Sequence, residues 1–211
     1  MMINTLIEYL EELYPNAKCG LKYNKDYELL IAVVMSAQTT DKKVNEVNEA
    51  LFTKYDTLEK LSKADILDIE NIIKKIGTHK KKSIYIKEIA TKLLNDKTTK
   101  VPNDRTYLES LPGVGRKTAN VFLSVIYNEP LLAVDTHVSR ISKRLKIANE
   151  SDTPLEIEQK LMKKLPKELW VKMHHRLIFF GRNKCKSINP DCRDCKLKSY
   201  CSYYKQRKIS K

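Results

Sequence analysis

The sequence predicts an all-α protein of about ten helices joined by short connections. Apolar residues recur three and four positions apart along nearly the whole chain, the spacing that places them on one face of a helix. No segment alternates with the two-residue period of a half-buried strand. Only 5 Gly and 7 Pro occur in 211 residues, and no flexible linker is visible. Two domains, if present, are joined by short loops or share the chain discontinuously.

Each helix has its own signal. Ile3, Leu6, Ile7, Leu10 and Leu13 form one face near the start. Leu29 to Val34 is apolar all round, as a central buried helix requires. Val44, Val47 and Leu51 continue the spacing. Ser62 ahead of Asp65 reads as an N-cap pattern; Ile66, Ile69, Ile73 and Ile76 form the face behind it, and Gly77 reads as the stop. Ile84, Ile89, Leu93 and Leu94 mark the next helix, Val121, Phe122, Val125 and Ile126 another, and Val138, Ile141 and Leu145 another. Thr153-Pro154-Leu155-Glu156 combines an N-cap, a first-turn proline and a capping-box glutamate. Leu161, Met162 and Leu165 are the core face behind it. Trp170, Met173, Leu177 and Ile178 serve a helix that Gly181 reads as ending, and Lys205 to Lys211 reads as a frayed basic tail.

Composition bounds the function. A hydrophobic content of 42% argues against disorder, and no apolar run approaches the roughly 18 residues of a membrane span. Glu8, Glu11 and Glu12 break the order of a signal peptide, so a cytoplasmic protein is expected. The formal net charge is +14, from 40 basic and 26 acidic residues. This favours a polyanionic partner, nucleic acid before anionic membrane, with a solvated basic surface as the plain alternative.

The most informative segment is Leu111-Pro112-Gly113-Val114-Gly115-Arg116-Lys117-Thr118-Ala119-Asn120. Pro and two Gly make a tight hairpin, and Arg116 and Lys117 open a helix. Backbone N–H groups at such a helix start form an anion site, and the glycines let a phosphate come close to the backbone. The pattern is a helix-hairpin-helix, moderately specific for sequence-independent DNA binding. Lys117 then either grips a phosphate or does chemistry beside one. Val134-Asp135-Thr136-His137-Val138 follows, with Asp135 18 residues past Lys117. Asp135 reads either as the N-cap of the helix carrying Val138 and Ile141 or as a carboxylate folded back toward the lysine.

Four of the 5 cysteines, Cys185, Cys192, Cys195 and Cys201, fall within 17 residues. Clustered thiols in a cytoplasmic protein point to metal before disulfides. Zinc sites more often pair two close cysteines with a distant pair, whereas one compact run suits an iron–sulfur cluster; zinc or no metal stays open. Lys184, Lys186, Arg193, Lys196 and Lys198 surround the run, placed to offset a cluster's negative charge, to meet phosphates, or simply to be solvated. Cys19 stands apart and reads as an inert thiol.

Together, the hairpin, Val134-Asp-Thr-His-Val138, Ser36-Ala37-Gln38 and the Cys-x6-Cys-x2-Cys-x5-Cys spacing resemble the endonuclease III family of the helix-hairpin-helix–GPD superfamily, over nearly the whole chain. The resemblance implies two α-helical domains flanking a DNA-binding cleft. One is a six-helix barrel with the helix-hairpin-helix, residues 22–133. The other is discontinuous, residues 1–21 and 134–211, and carries a [4Fe–4S] cluster on the four cysteines. It implies a bifunctional DNA glycosylase and abasic-site lyase, acting as a monomer on oxidised or ring-damaged pyrimidines in double-stranded DNA. Lys117 is then the nucleophile, attacking the sugar's anomeric carbon and forming a Schiff base that undergoes β-elimination. Asp135 is the proton acceptor and stabilises the developing positive sugar. The damaged nucleotide is flipped out of the duplex, at the cost of unstacking.

The same resemblance gives Gln38 the role of filling the gap left by the flipped base, where the residues alone suggest a helix-end polar group. Gly113, Val114, Gly115 and Arg116 face phosphate. Ile76-Gly77-Thr78-His79-Lys80 departs from the family, in which a large apolar wedge commonly follows the glycine. Here Thr78 stands there, so the wedge is either weaker or supplied by a neighbour such as His79. Lys80, Lys81 and Lys82 are expected on phosphate. His137, His174 and His175 are expected in structural hydrogen bonds rather than on metal, and Arg140 and Arg182 as ties between segments. The alternatives are an adenine glycosylase, against which Lys117 argues, and a non-catalytic DNA-binding protein, against which the pairing of Lys117 with Asp135 argues.

Overall fold

The structure, a computed structural model, describes residues 1–97 and 100–209, and the side chains of all of these except 208 and 209. It is helical throughout the described residues, with twelve α-helices, one short 3₁₀ turn and no strand. The helices are α1 (Met2–Leu13), α2 (Asp26–Met35), α3 (Asp41–Lys54), α4 (Leu58–Lys63), α5 (Ile66–Ile73) and α6 (His79–Asn95). They continue as α7 (Arg105–Glu109), α8 (Arg116–Ile126), α9 (Thr136–Arg144), α10 (Pro154–Lys164), α11 (Trp170–Asn183) and α12 (Ser202–Ile209). The chain divides into two compact units, Gly20–Glu129 and the discontinuous pair Met1–Cys19 with Pro130–Lys211.

In the Gly20–Glu129 unit, α2 is the central rod. Every residue from Tyr27 to Met35 is buried, as its all-round apolar sequence demands. It packs against α3, α6 and α8. Side-chain caps fix where the surrounding helices begin: Thr40 on α3, Thr57 on α4, Asp65 on α5 and Asp104 on α7. Asp65 is itself the cap of α5, accepting from Leu67 and Asp68 N–H, so the expected role of Ser62 passes to it. The α5 helix ends at Ile73, four residues before Gly77, which sits in the loop leading to α6.

The second unit packs α1, α9, α10 and α11 around Leu6, Leu10, Val138, Ile141, Ile157, Leu161, Met173, Leu177 and Phe180. Fully burying each such side chain stabilises by about 1.5–3 kcal/mol. The capping box at Thr153 forms: Thr153 Oγ1 accepts from Glu156 N–H, and the Glu156 carboxylate accepts from Thr153 N–H. Gly181 does not end α11, which runs on to Asn183. Its lack of a side chain instead admits α9, since a Cβ there would stand 2.7 Å from His137 Cβ. The basic tail is helical rather than frayed up to Ile209, and residues 210–211 lie outside the described residues.

Candidate active site and cysteine centre

The hairpin is built by short-range bonds. The N–H of Leu111 donates to Leu108 O (3.0 Å) and that of Val114 to Leu111 O (3.1 Å). Leu111 and Val114 bury their side chains and anchor the turn. Gly113 has φ +74°, the left-handed region that favours glycine, and a Cβ on it would lie 2.5 Å from Tyr85 Cδ2 of α6. Gly115 is different: its backbone is extended, and nothing lies within 4 Å of where a Cβ would be. It stands at the N-cap of α8, where α3, α4, α5, α7 and α10 each have a Thr or Asp whose side chain accepts first-turn N–H groups. Gly115 has no side chain to do so, which leaves the positive end of α8 open to an external anion. Arg116 and Lys117, both exposed, are the first two residues of that helix. Val114 reaches outward through neither its buried side chain nor its N–H, which the turn itself uses. Arg105 of α7 donates to Asn120 Oδ1 of α8 (2.5 Å), tying the two helices that flank the turn.

The Gln38 and Thr78 loops lie side by side in the same unit. Both residues are exposed and both are in the left-handed region, each with φ +56°. Non-glycine residues held there cost of order 1–3 kcal/mol each, a cost the surrounding structure has to cover. Gly77 brings the loops into register, its Cβ position lying 3.9 Å from Gln38 O. Lys80 is exposed, as a phosphate contact requires, while His79 pairs with Glu70 at 3.5 Å.

Lys82 overturns its expected place on phosphate. It is buried, and its Nζ donates to Met35 O (2.8 Å) and Ala37 O (2.7 Å). The physical reason is its position on the helix. Lys82 falls four residues before Ile86, on the buried stripe continued by Ile89 and Leu93, so α6 carries it into the interior. Burial pulls its pKa below the usual lysine range. The α2 C-terminus offers carbonyl oxygens there, at the negative end of a helix dipole, which favours the charged form against that burial.

In the other unit, Asp135 is the N-cap of α9, with Oδ1 accepting from Val138 N–H at 2.8 Å. It is half-buried. Arg140 on the same helix donates to Gly181 O and Cys185 O, both at 2.9 Å, and lies 3.1 Å from His137 Nδ1. It therefore ties α9 to the end of α11, a tie within the C-terminal segment rather than between segments. His174 Nδ1 meets Ala133 O at 2.8 Å, a structural bond, as expected. Burial pushes the His137 pKa down, against Asp135, which raises it.

Cys185, Cys192, Cys195 and Cys201 line one cavity of about 420 Å³, counting the part open to solvent, together with Ile141, Phe180, Leu197 and Tyr203. Short bonds set their spacing: Cys185 N–H donates to Phe180 O (2.7 Å), Cys195 N–H to Cys192 O (3.4 Å) and Cys201 N–H to Lys198 O (3.3 Å). Burial, and then the neighbouring thiols, pushes Cys192 upward; burial also raises Cys195. Four thiolates in such a cavity need a cationic centre to ionise together. Among the described residues, no group of three or more His, Cys, Asp or Glu stands where it could hold a metal ion. A shared cavity ringed by four thiols suits a polynuclear cluster, whose sulfur ligands stand apart on separate irons. Arg144 completes the wall, donating to Cys185 Sγ (3.2 Å), Lys186 O (2.7 Å) and Ser187 O (3.1 Å), with its guanidinium over the Tyr203 ring. Several of the surrounding cations have partners: Lys184 with Asp191, Arg193 with Asp191, and Lys196 with Glu12.

Sequence reading misplaced Lys82 and missed Arg144. For Lys82 the signal was present in its place on the Ile86–Ile89–Leu93 stripe, and for Arg144 in its spacing three residues after buried Ile141.

An all-helical fold with this hairpin defines a class. The family model described as HhH-GPD superfamily base excision DNA repair protein matches residues 31–167. Among curated proteins, endonuclease III of Bacillus subtilis (strain 168) is 44% identical over 199 residues, covering 94% of this chain and 91% of that protein. Endonuclease III of Escherichia coli (strain K12) is 37% identical over 198 residues, covering 94% and 93%. A solved structure of a trapped endonuclease III–DNA covalent intermediate with an estranged adenine matches with TM-score 0.93 at 44% identity, covering 98% of this chain and 97% of that one. A thermostable thymine-DNA glycosylase shares the fold, with TM-score 0.81 at 22% identity. The chain belongs to the endonuclease III family.

Proposed function

We propose that this protein is a base-excision repair enzyme, a DNA N-glycosylase and abasic-site lyase that removes oxidised or ring-damaged pyrimidines from duplex DNA. The observation that carries the reading is the exposed amine of Lys117 on the first turn of α8, behind a hairpin whose N-cap glycine leaves the helix end open. A phosphate of the damaged strand binds at the Gly113–Arg116 turn, and Lys80 adds a cation. The Lys117 Nζ forms a bond to the sugar C1′ as the C1′–base bond breaks, and the base leaves with that electron pair, taking a proton from solvent water. The amine gives its own proton to Asp135, which also favours the positive charge growing on the sugar. The C1′–O4′ bond then breaks, O4′ takes up the proton that Asp135 holds, and C1′=Nζ forms as a protonated Schiff base, which acidifies the C2′ hydrogen. Its removal expels the 3′ phosphate oxygen and cuts the strand. Gln38 fills the space of the flipped nucleotide, and Thr78 with His79 occupies the opposite side of the opening.

Residues 22–133 serve as the DNA-facing barrel, and residues 1–21 with 134–211 as the cluster-bearing part. Cys185, Cys192, Cys195 and Cys201 would hold a [4Fe–4S] cluster, with Arg144 against the Cys185 sulfur. When bound, that group supplies a rigid cross-link of the C-terminal loop, and electron-transfer chemistry where a redox partner exists. Among the described residues no helix is long and apolar enough to cross a membrane. The reading places the enzyme in the cytoplasm as a monomer. An adenine glycosylase or a non-catalytic DNA-binding protein is not favoured, given 37–44% identity to endonuclease III proteins.

The test is borohydride trapping on an oligonucleotide duplex with one abasic site. The wild-type protein should form a covalent adduct and Lys117→Ala none. An unchanged adduct in Lys117→Ala refutes the lysine assignment.

A further inference from the structure

We propose that Lys82 is a positioning residue, whose buried ammonium sets the geometry between the loop that carries Gln38 and the loop that carries Thr78. The inference rests on the reading above that Gln38 enters the duplex.

Lys82 has no access to a phosphate: it is only 3% exposed. Its side chain spans from α6 to the end of α2, donating to Met35 O and Ala37 O, with Thr39 Oγ1 at 3.5 Å. Ala37 and Thr39 are the two residues that bracket Gln38. Its backbone N–H donates to Thr78 O at 3.0 Å. One residue therefore holds the carbonyl before Gln38 with its side chain and the carbonyl of Thr78 with its main chain. Both loops need such an anchor, because both hold a non-glycine residue at φ +56°. Gly77 packs directly beside Gln38 O, so a shift of one loop is felt by the other.

The chemistry of the anchor matters. All three acceptors are neutral oxygens, so the ammonium gains orientation from several bonds at once, which a neutral side chain of the same length cannot match. Removal of the charge leaves the Met35 and Ala37 carbonyls without this donor. The Gln38 loop is then free to relax out of its left-handed turn. Gln38 would still be present but would reach the gap in the wrong place. The Lys117 amine sits on α8 and is not bonded to Lys82, so its reactivity toward an already exposed sugar should survive.

The experiment is a double-mutant cycle of Gln38→Ala with Lys82→Met, read on two substrates. One is a duplex carrying a ring-saturated pyrimidine, which has to be opened. The other is a single-stranded oligonucleotide with an abasic site, which does not. Lys82→Met should lower the single-turnover rate on the duplex by about tenfold or more while staying within about threefold on the single strand. The double variant should lose no more than Gln38→Ala alone. Losses that multiply in full, equal losses on both substrates, or a wild-type duplex rate in Lys82→Met overturn the proposal. A wild-type duplex rate in Gln38→Ala instead strikes the assignment of Gln38, and any selective loss in Lys82→Met then also overturns its action through Gln38. If Lys82→Met does not melt cooperatively, the same cycle runs with Lys82→Arg. That variant keeps a charged donor but moves it, and is judged by the same non-additivity.

Discussion

Replacing Gly113 by Ala and, separately, Gly115 by Ala separates the two jobs of the hairpin glycines. At Gly113 an added Cβ meets Tyr85 Cδ2 at 2.5 Å, Tyr85 Cε2 at 2.9 Å and Val34 Cγ1 at 3.2 Å, with φ at +74°. The left-handed backbone alone costs about 1 kcal/mol or more for Ala, and overpacking a filled site adds about 1–3 kcal/mol. A loss of about 2–4 kcal/mol follows. For a chain of this size that lowers the melting temperature by about 4–16 °C. At Gly115 the Cβ meets nothing within 4 Å and the backbone is extended. Stability should therefore change by no more than about 1 kcal/mol, the lost entropy of the unfolded chain offsetting the poorer N-cap that Ala makes. The cost of Gly115→Ala should appear instead in DNA affinity, because its methyl occupies the approach to the open end of α8. Thermal melting by circular dichroism and anisotropy of a labelled duplex read the two effects. If Gly113→Ala melts with the wild type, or if Gly115→Ala binds DNA unchanged, the division of labour between the glycines is wrong.

Asp135→Asn keeps an oxygen that can accept from Val138 N–H, so its stability should stay within about 0.5 kcal/mol while most turnover is lost; full turnover would leave Asp135 as a cap alone. Arg144→Leu removes the donors to Cys185 Sγ and to the Lys186 and Ser187 carbonyls, and purified protein should carry less of the visible absorbance of thiolate-bound iron. Unchanged iron content would show that the cysteines suffice without it. His137 has its pKa pushed down by burial, with Asp135 opposing and Arg140 and Arg182 reinforcing the shift. The unfolded chain therefore takes up the proton first, so the His137 contribution is present above about pH 6.5 and is lost as pH falls through the folded value. His137→Gln should flatten that part of the stability–pH curve measured by urea melts, and an unchanged slope would remove His137 as its source.

The sequence by itself determined what depends on neighbours a few residues away. The helix periods, the Thr153 capping box, the Gly113 turn and the Asp135 cap all use bonds that span five residues or fewer, so their chemistry is written in short strings. The four cysteines were legible for the same reason: they sit close together in the chain, although Ile141, Arg144 and Phe180 complete the cavity they line. Asp135 shows the limit of such reading. Its local bond is a cap, and a second role depends on what shares its surroundings. Only the tertiary structure decided where the lysines of the α6 start point, because Lys80, Lys81 and Lys82 look alike in sequence while the helix turns them about 100° apart. That rotation sends Lys80 to solvent and Lys82 onto the end of α2, a partner 45 residues away at Ala37. In the same way Gly181 reads as a helix stop until α9 is seen against it, and Arg144, which no motif singles out, stands beside the Cys185 sulfur, 41 residues on. Burial and long-range approach are properties of the packed chain, and they turned a row of expected phosphate contacts into two exposed cations and one internal anchor.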